Sequence, residues 1–76
     1  MISTSQEFGL RLTRARRALG ITQRDLALAI GVGERFIVDL ERGKPTAQLD
    51  KALAAAKAAG MRLVDAADSE TNGPAS

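Results

Sequence analysis

Residues Gln23 to Arg42 read Gln-Arg-Asp-Leu-Ala-Leu-Ala-Ile-Gly-Val-Gly-Glu-Arg-Phe-Ile-Val-Asp-Leu-Glu-Arg, and the reading of this stretch decides the fold. Its apolar positions Leu26, Ala27, Ile30, Val32, Ile37 and Leu40 make one face of a first helix and one face of a second. Gly31 falls between them, where the chain must reverse, and glycine takes the left-handed conformation that ends a helix without a Cβ clash. The small Ala27 lets the second helix cross close to the first. A helix, a tight turn and a helix in this order can lay the second helix in a groove of DNA.

Boundary signals extend the pattern in both directions. Thr22 is the expected N-cap of the helix Gln23 to Ile30, its capping box completed by Asp25. The next helix starts at Gly33 or Glu34 and stops before Gly43, since Gly43 and the following Lys44-Pro45 break the periodicity. Upstream, Thr4 and Glu7 fit a capping box, opening a helix that runs to about Leu19, buries Phe8, Leu12, Ala15 and Leu19, and ends at Gly20. Downstream, Thr46 is the expected cap of a further helix whose inner stripe is Leu49, Ala52, Leu53 and Ala56, closed by Gly60.

Beyond Gly60, Met61-Arg62-Leu63-Val64 has the alternating, β-branched character of a short strand, and no other segment reads as one. A lone strand leaves its backbone donors and acceptors unpaired, so the simplest partner is the same strand of a second subunit, forming a ribbon across a dimer axis. The other reading is a loop whose Met61 and Leu63 cover the core. Residues 66–76 are small and polar, without enough apolar surface to offset the cost of ordering, and are expected to form a disordered tail. The expected organisation is one domain over residues 1–65 followed by that tail.

Composition narrows the chemistry. A chain of 76 residues makes a single domain near the lower end of what one apolar core holds folded, which favours association with a second copy. There is no cysteine, histidine, tyrosine or tryptophan, so disulfides, thiolate chemistry, imidazole bases and the usual zinc ligands are excluded. No catalytic residue, metal or cofactor is expected, and the carboxylates present have nothing to work with as an enzyme. No apolar run approaches the roughly 20 residues that span a bilayer, and the N-terminus lacks a secretion signal, which leads to a cytoplasmic chain. The net charge of +2 is mild, but Arg11, Arg14, Arg16, Arg17 and Arg24 lie in a stretch without an acid, whereas Asp65, Asp68 and Glu70 face only Arg62 beyond Met61. The arginine-rich end suits an anionic partner, although charge runs are more often simply solvated helix faces.

Taken together, Arg16, Ile21-Thr22-Gln23, Leu26-Ala27, Gly31-Val32 and Leu40-Glu41-Arg42-Gly43-Lys44-Pro45 resemble the lambda repressor and Cro type of helix-turn-helix domain. The resemblance covers Gln6 to Val64. It implies an all-α fold of four or five helices, with the short C-terminal strand pairing across a dimer. More narrowly, Arg35-Phe36-Ile37, Leu40 through Thr46, Leu49-Asp50-Lys51 and Gly60-Met61-Arg62-Leu63 resemble the HipB-like antitoxins of toxin-antitoxin pairs. That resemblance implies a homodimer that binds an inverted-repeat operator, represses its own promoter and associates with a HipA-type kinase toxin.

Each implied role has a chemical counterpart. Gln23, at the start of a helix, offers an amide and nearby backbone N–H groups to a phosphate. Arg42 and Lys44 would hold the backbone on the other side. Sequence would be read by Glu34, Arg35, Val38 and Asp39, with Gly33 letting the DNA backbone come close. Arg35 is the leading residue, because its fork can donate twice to a guanine edge, although it could instead contact phosphate. Glu34 and Asp39 either accept from a cytosine amino group or repel phosphates and suppress nonspecific binding. The resemblance further pairs Arg16 with Glu41 as an architectural ion pair. Phe36 is core filler or a thymine-methyl contact. Two rivals are a freestanding phage or host regulator without a toxin, and a protein interaction module in which the alanine-rich helix and tail bind a partner and the arginines only solubilise.

Overall fold

A computed structural model describes residues 4–61 of the chain. Among these residues the elements are four helices, α1 (Ser5–Ala18), α2 (Gln23–Ile30), α3 (Glu34–Glu41) and α4 (Leu49–Ala58), and no strand. None of these helices is long and apolar enough to cross a membrane. Arg62 to Val64 and the tail 66–76 lie outside the described residues. Met61, the first residue of the expected strand, packs against the core and donates its N–H to the Ala56 carbonyl at 2.9 Å.

Local chemistry sets most helix ends. The Thr22 hydroxyl accepts the Asp25 N–H and the Asp25 carboxylate accepts the Thr22 N–H, both at 3.0 Å, so the expected box closes α2. Gly31 takes φ 74° and ψ 34°. Val32 can then donate back to the Ala27 carbonyl at 3.0 Å, turning the chain into α3. At α1 only half of the expected box forms. Thr4 accepts the Glu7 N–H, but the Glu7 carboxylate turns forward to Arg11 at 3.1 Å, one turn along the helix.

The core is built by Leu12 of α1, Leu26 and Ala27 of α2, Ile37 and Leu40 of α3, and Ala52, Ala55 and Ala59 in and just beyond α4. Leu12, Leu26 and Ile37 are the largest fully buried side chains, and each stabilises the fold by roughly 1.5–3 kcal/mol. α3 packs against both α1 and α2, and α4 packs against α2.

Three expectations about packing are corrected. Leu49 and Leu53 are not on the inner stripe of α4: they are 67% and 51% exposed, and the buried residues are Ala52, Ala55, Ala56 and Ala59. The helix is rotated so that its smallest side chains face inward, bringing its backbone close to the rest of the domain. Leu19 is more than half exposed, because it lies beyond the last turn of α1 as its C-cap. Thr46 does not cap α4. That helix begins three residues later, and the Thr46 hydroxyl accepts the Gln48 N–H at 3.0 Å, ordering the approach instead.

Gly9 carries a constraint that periodicity did not reveal. It is buried where α1 crosses the end of α3, and a Cβ there would lie 2.5 Å from the Leu40 carbonyl oxygen and 2.8 Å from that of Glu41. Both obstacles are backbone and cannot rotate away, so the two helices would have to part. Gly9→Ala should therefore destabilise the fold by about 2 kcal/mol, despite alanine's better helix propensity. Urea unfolding checks this, and an unchanged or raised midpoint would contradict the close crossing.

Candidate nucleic-acid interface

The outward face of α3 is presented by a support built largely from one carboxylate. Glu41, the last residue of α3, accepts Arg16 Nε at 2.6 Å and Arg16 Nη2 at 3.1 Å, a two-point grip on the guanidinium. It also accepts Gln23 Nε2 at 3.0 Å. Arg16 completes its hydrogen bonding by donating from Nη1 to the Ile21 carbonyl at 2.8 Å. One cluster thus joins α1, the turn after it, the start of α2 and the end of α3. Both ionic side chains are largely enclosed, with 10% of the Arg16 side chain and 6% of the Glu41 side chain exposed.

Enclosure and bonding act against each other on the Glu41 carboxyl. Burial pushes its pKa up, but the hydrogen bonds from Arg16 and Gln23 and the Arg16 charge together hold it below the ordinary carboxylate value. For Arg16 the hydrogen bond to Glu41 raises the pKa, and the Glu41 charge adds to it, against a smaller lowering from burial. The ion pair is charged in the fold. The Asp25 carboxyl is likewise lowered, by its bonds with the backbone and side chain of Thr22.

Around this support the expected interface residues fall into distinct positions. Gly33 is the N-cap of α3, with ordinary extended φ and ψ and open space where a Cβ would stand. Nothing among the described residues demands a glycine there. Glu34 and Arg35 are exposed on the first turn of α3, and Val38 is half-buried farther along. Phe36 packs against the core. Arg42 is exposed at the C-cap of α3, and Lys44 follows with its backbone N–H donated to the Asp39 carbonyl at 3.0 Å.

Two residues differ from their expected surroundings. One hydrogen of the Gln23 side-chain amide is donated to Glu41, which leaves the other and the backbone N–H groups of the α2 start as the donors available to an anion. With the Thr22 box closed, the amides of Gln23 and Arg24 have no partner among the described residues. Asp39 does not stand alone on the outward face, because the folded chain brings it beside both Arg35 and Lys44. Its spacing of four from Arg35 was visible in the sequence, whereas Lys44 reaches it only through the turn after α3. Gly9 supports the Glu41 end of α3 and had no sequence signal beyond a glycine inside a helical pattern.

Comparison with known proteins agrees with this geometry. Residues 12–65 match the helix-turn-helix family. The chain is also 48% identical over 52 residues to an uncharacterized HTH-type transcriptional regulator, y4mF, of Sinorhizobium fredii (strain NBRC 101917 / NGR234), an alignment covering 68% of each chain. The chain belongs to the helix-turn-helix family, which makes it a DNA-binding regulator and not an enzyme.

The enclosed carboxylate gives a pH signature. An unfolded chain returns Glu41 to a pKa of about 4.3. Because the folded value is lower, its stabilising contribution is complete above that pH and is lost as pH falls through the folded value. Glu41→Gln should cost about 3 kcal/mol near neutral pH by leaving Arg16 unpaired, and should flatten the fall in stability below about pH 4. Urea unfolding from neutral to acid pH measures both, and parallel profiles for the two proteins would exclude Glu41 as the source.

Proposed function

We propose that this helix-turn-helix protein is a dimeric transcriptional repressor that reads an inverted repeat with α3. The two copies of α3 enter successive major grooves about 34 Å apart. The observation that carries this reading is Arg35, 75% exposed near the start of a helix whose opposite face is locked into the core. A guanidinium so placed can donate twice to guanine O6 and N7. Arg42, Lys44, the second Nε2 hydrogen of Gln23 and the amides at the start of α2 are the donors assigned to phosphate contacts, which would set register without reading sequence. The residues from Met61 to Val64 are assigned to the ribbon that joins the copies.

The narrower assignment is an antitoxin of HipB-like type that represses its own operon and holds a HipA-type kinase toxin. Its support is the combination of Arg35-Phe36-Ile37 with Leu40 through Thr46, Leu49-Asp50-Lys51 and Gly60 through Leu63. A freestanding regulator is the second reading, favoured by the relative in Sinorhizobium fredii, which is named only as an HTH-type transcriptional regulator. Affinity purification from the native host separates the two: an antitoxin brings a kinase-sized companion encoded beside it, and a freestanding regulator does not.

Binding to duplex DNA from upstream of the coding region, measured at two salt concentrations, tests the common part. Arg35→Ala should relax preference at one base pair, costing about 1–3 kcal/mol of discrimination. Lys44→Ala should weaken all sequences alike and reduce the salt slope by about one unit. Equal losses on every duplex for both variants would contradict this division of roles, and a monomer in light scattering would contradict the dimer.

A further inference from the structure

Asp39 stands in an arrangement that neither base reading nor phosphate repulsion accounts for. Its Oδ1 is enclosed and accepts no hydrogen bond. Two cations approach that same oxygen, Arg35 Nε at 3.5 Å from one turn back on α3 and Lys44 Nζ at 3.9 Å from the turn beyond it. Lys44 is attached at a second point, through its backbone N–H on the Asp39 carbonyl. The Arg35 and Lys44 side chains are otherwise well exposed, 75% and 62%. A single carboxylate thus sits between the residue assigned to bases and the residue assigned to phosphate.

We propose that Asp39 is a positioning residue that orients Arg35 for base reading and ties it to Lys44, an inference that rests on the DNA-reading role proposed above. A guanidinium has five N–H donors in one plane. With Nε the nitrogen that stands 3.5 Å from the Asp39 carboxylate, the two terminal nitrogens remain to supply the paired donors that a guanine edge accepts. An arginine this exposed otherwise loses rotamer freedom when it docks, and holding its inner edge beforehand lowers that loss. The carboxylate also leaves the three-residue cluster with a single net positive charge, which weakens its attraction to DNA of any sequence. Asp39 therefore sharpens selectivity by orienting Arg35, while its charge lowers the affinity for every duplex alike.

The test uses a duplex selected by the wild-type chain from a random-sequence library, together with an unselected random duplex of the same length. Both affinities are measured for the wild type, Asp39→Asn, Asp39→Glu, Arg35→Ala and the Arg35→Ala, Asp39→Asn double variant. Asp39→Asn should lose about tenfold of the ratio between the two affinities, while binding the random duplex at least as tightly as the wild type. Asp39→Glu should recover part of the ratio, and in the Arg35→Ala background Asp39→Asn should change the ratio no further. An equal loss of ratio in that background would overturn the proposal in favour of direct contact between Asp39 and a base. Tighter binding to both duplexes with an unchanged ratio would overturn it in favour of simple phosphate repulsion. A wild-type chain that selects no duplex brings down the DNA-reading role itself, whereas a selective wild type matched in ratio by Asp39→Asn brings down only the role of Asp39. Circular dichroism melting of each variant separates a lost fold from a lost contact, and Asp39→Glu, which keeps the charge, carries the test should Asp39→Asn melt early.

Discussion

The enclosed bond between Arg16 and Glu41 is the constraint on which the rest of the domain depends. Its two-point geometry fixes the end of α3 against α1, and the added donation from Gln23 brings the start of α2 to the same carboxylate. An ion pair removed from water recovers its desolvation cost only when its remaining donors and acceptors are filled. Here they are filled by Ile21 and Gln23. What this adds, beyond the stability that apolar side chains could also supply, is directional position. Hydrogen bonds at fixed angles hold α3 in rotation as well as in distance, and rotation decides which side chains face outward.

Close approach of backbones is the second requirement, and small residues provide it. Gly9 lets α1 meet the carbonyl groups that end α3, and those carbonyls belong to Leu40 and Glu41. The crossing and the ion pair therefore act on the same turn of α3 from adjacent positions. At the other side of the domain, the buried alanines of α4 draw that helix in. A core this small gains more from short distances between backbones than from large side chains, since dispersion falls steeply across any gap.

The interface inherits its order from this framework. α3 buries Ile37 and Leu40 and, by the helical period, turns Arg35 away from them. Asp39, partly enclosed between the two faces, links Arg35 to Lys44. The arrangement places one group suited to base edges and one suited to phosphates on a common anchor. In the proposed reading, affinity and selectivity are set by neighbouring atoms, and not by separate regions of the surface.

Much of this was legible along the chain. The bounds of α2, the Thr22 and Asp25 box, the Gly31 turn and the extent of α3 follow from interactions between residues a few positions apart, which a linear sequence displays directly. The inward face of α4 was legible only at Ala52 and Ala56, because Leu49 with Leu53 and Ala52 with Ala55 and Ala59 satisfy the same helical period. The choice between them depends on how near α2 can come, a distance between elements that no local pattern contains. The grip of Glu41 on Gln23, 18 positions away, and the clash that reserves position 9 for glycine belong to the same class. Residue types and short-range capping determined which segments are helices and which groups could meet an anion. Tertiary packing alone decided which leucines are left outside, that Glu41 also holds Gln23 and that Asp39 also meets Lys44, because those outcomes depend on distances set only when the elements meet.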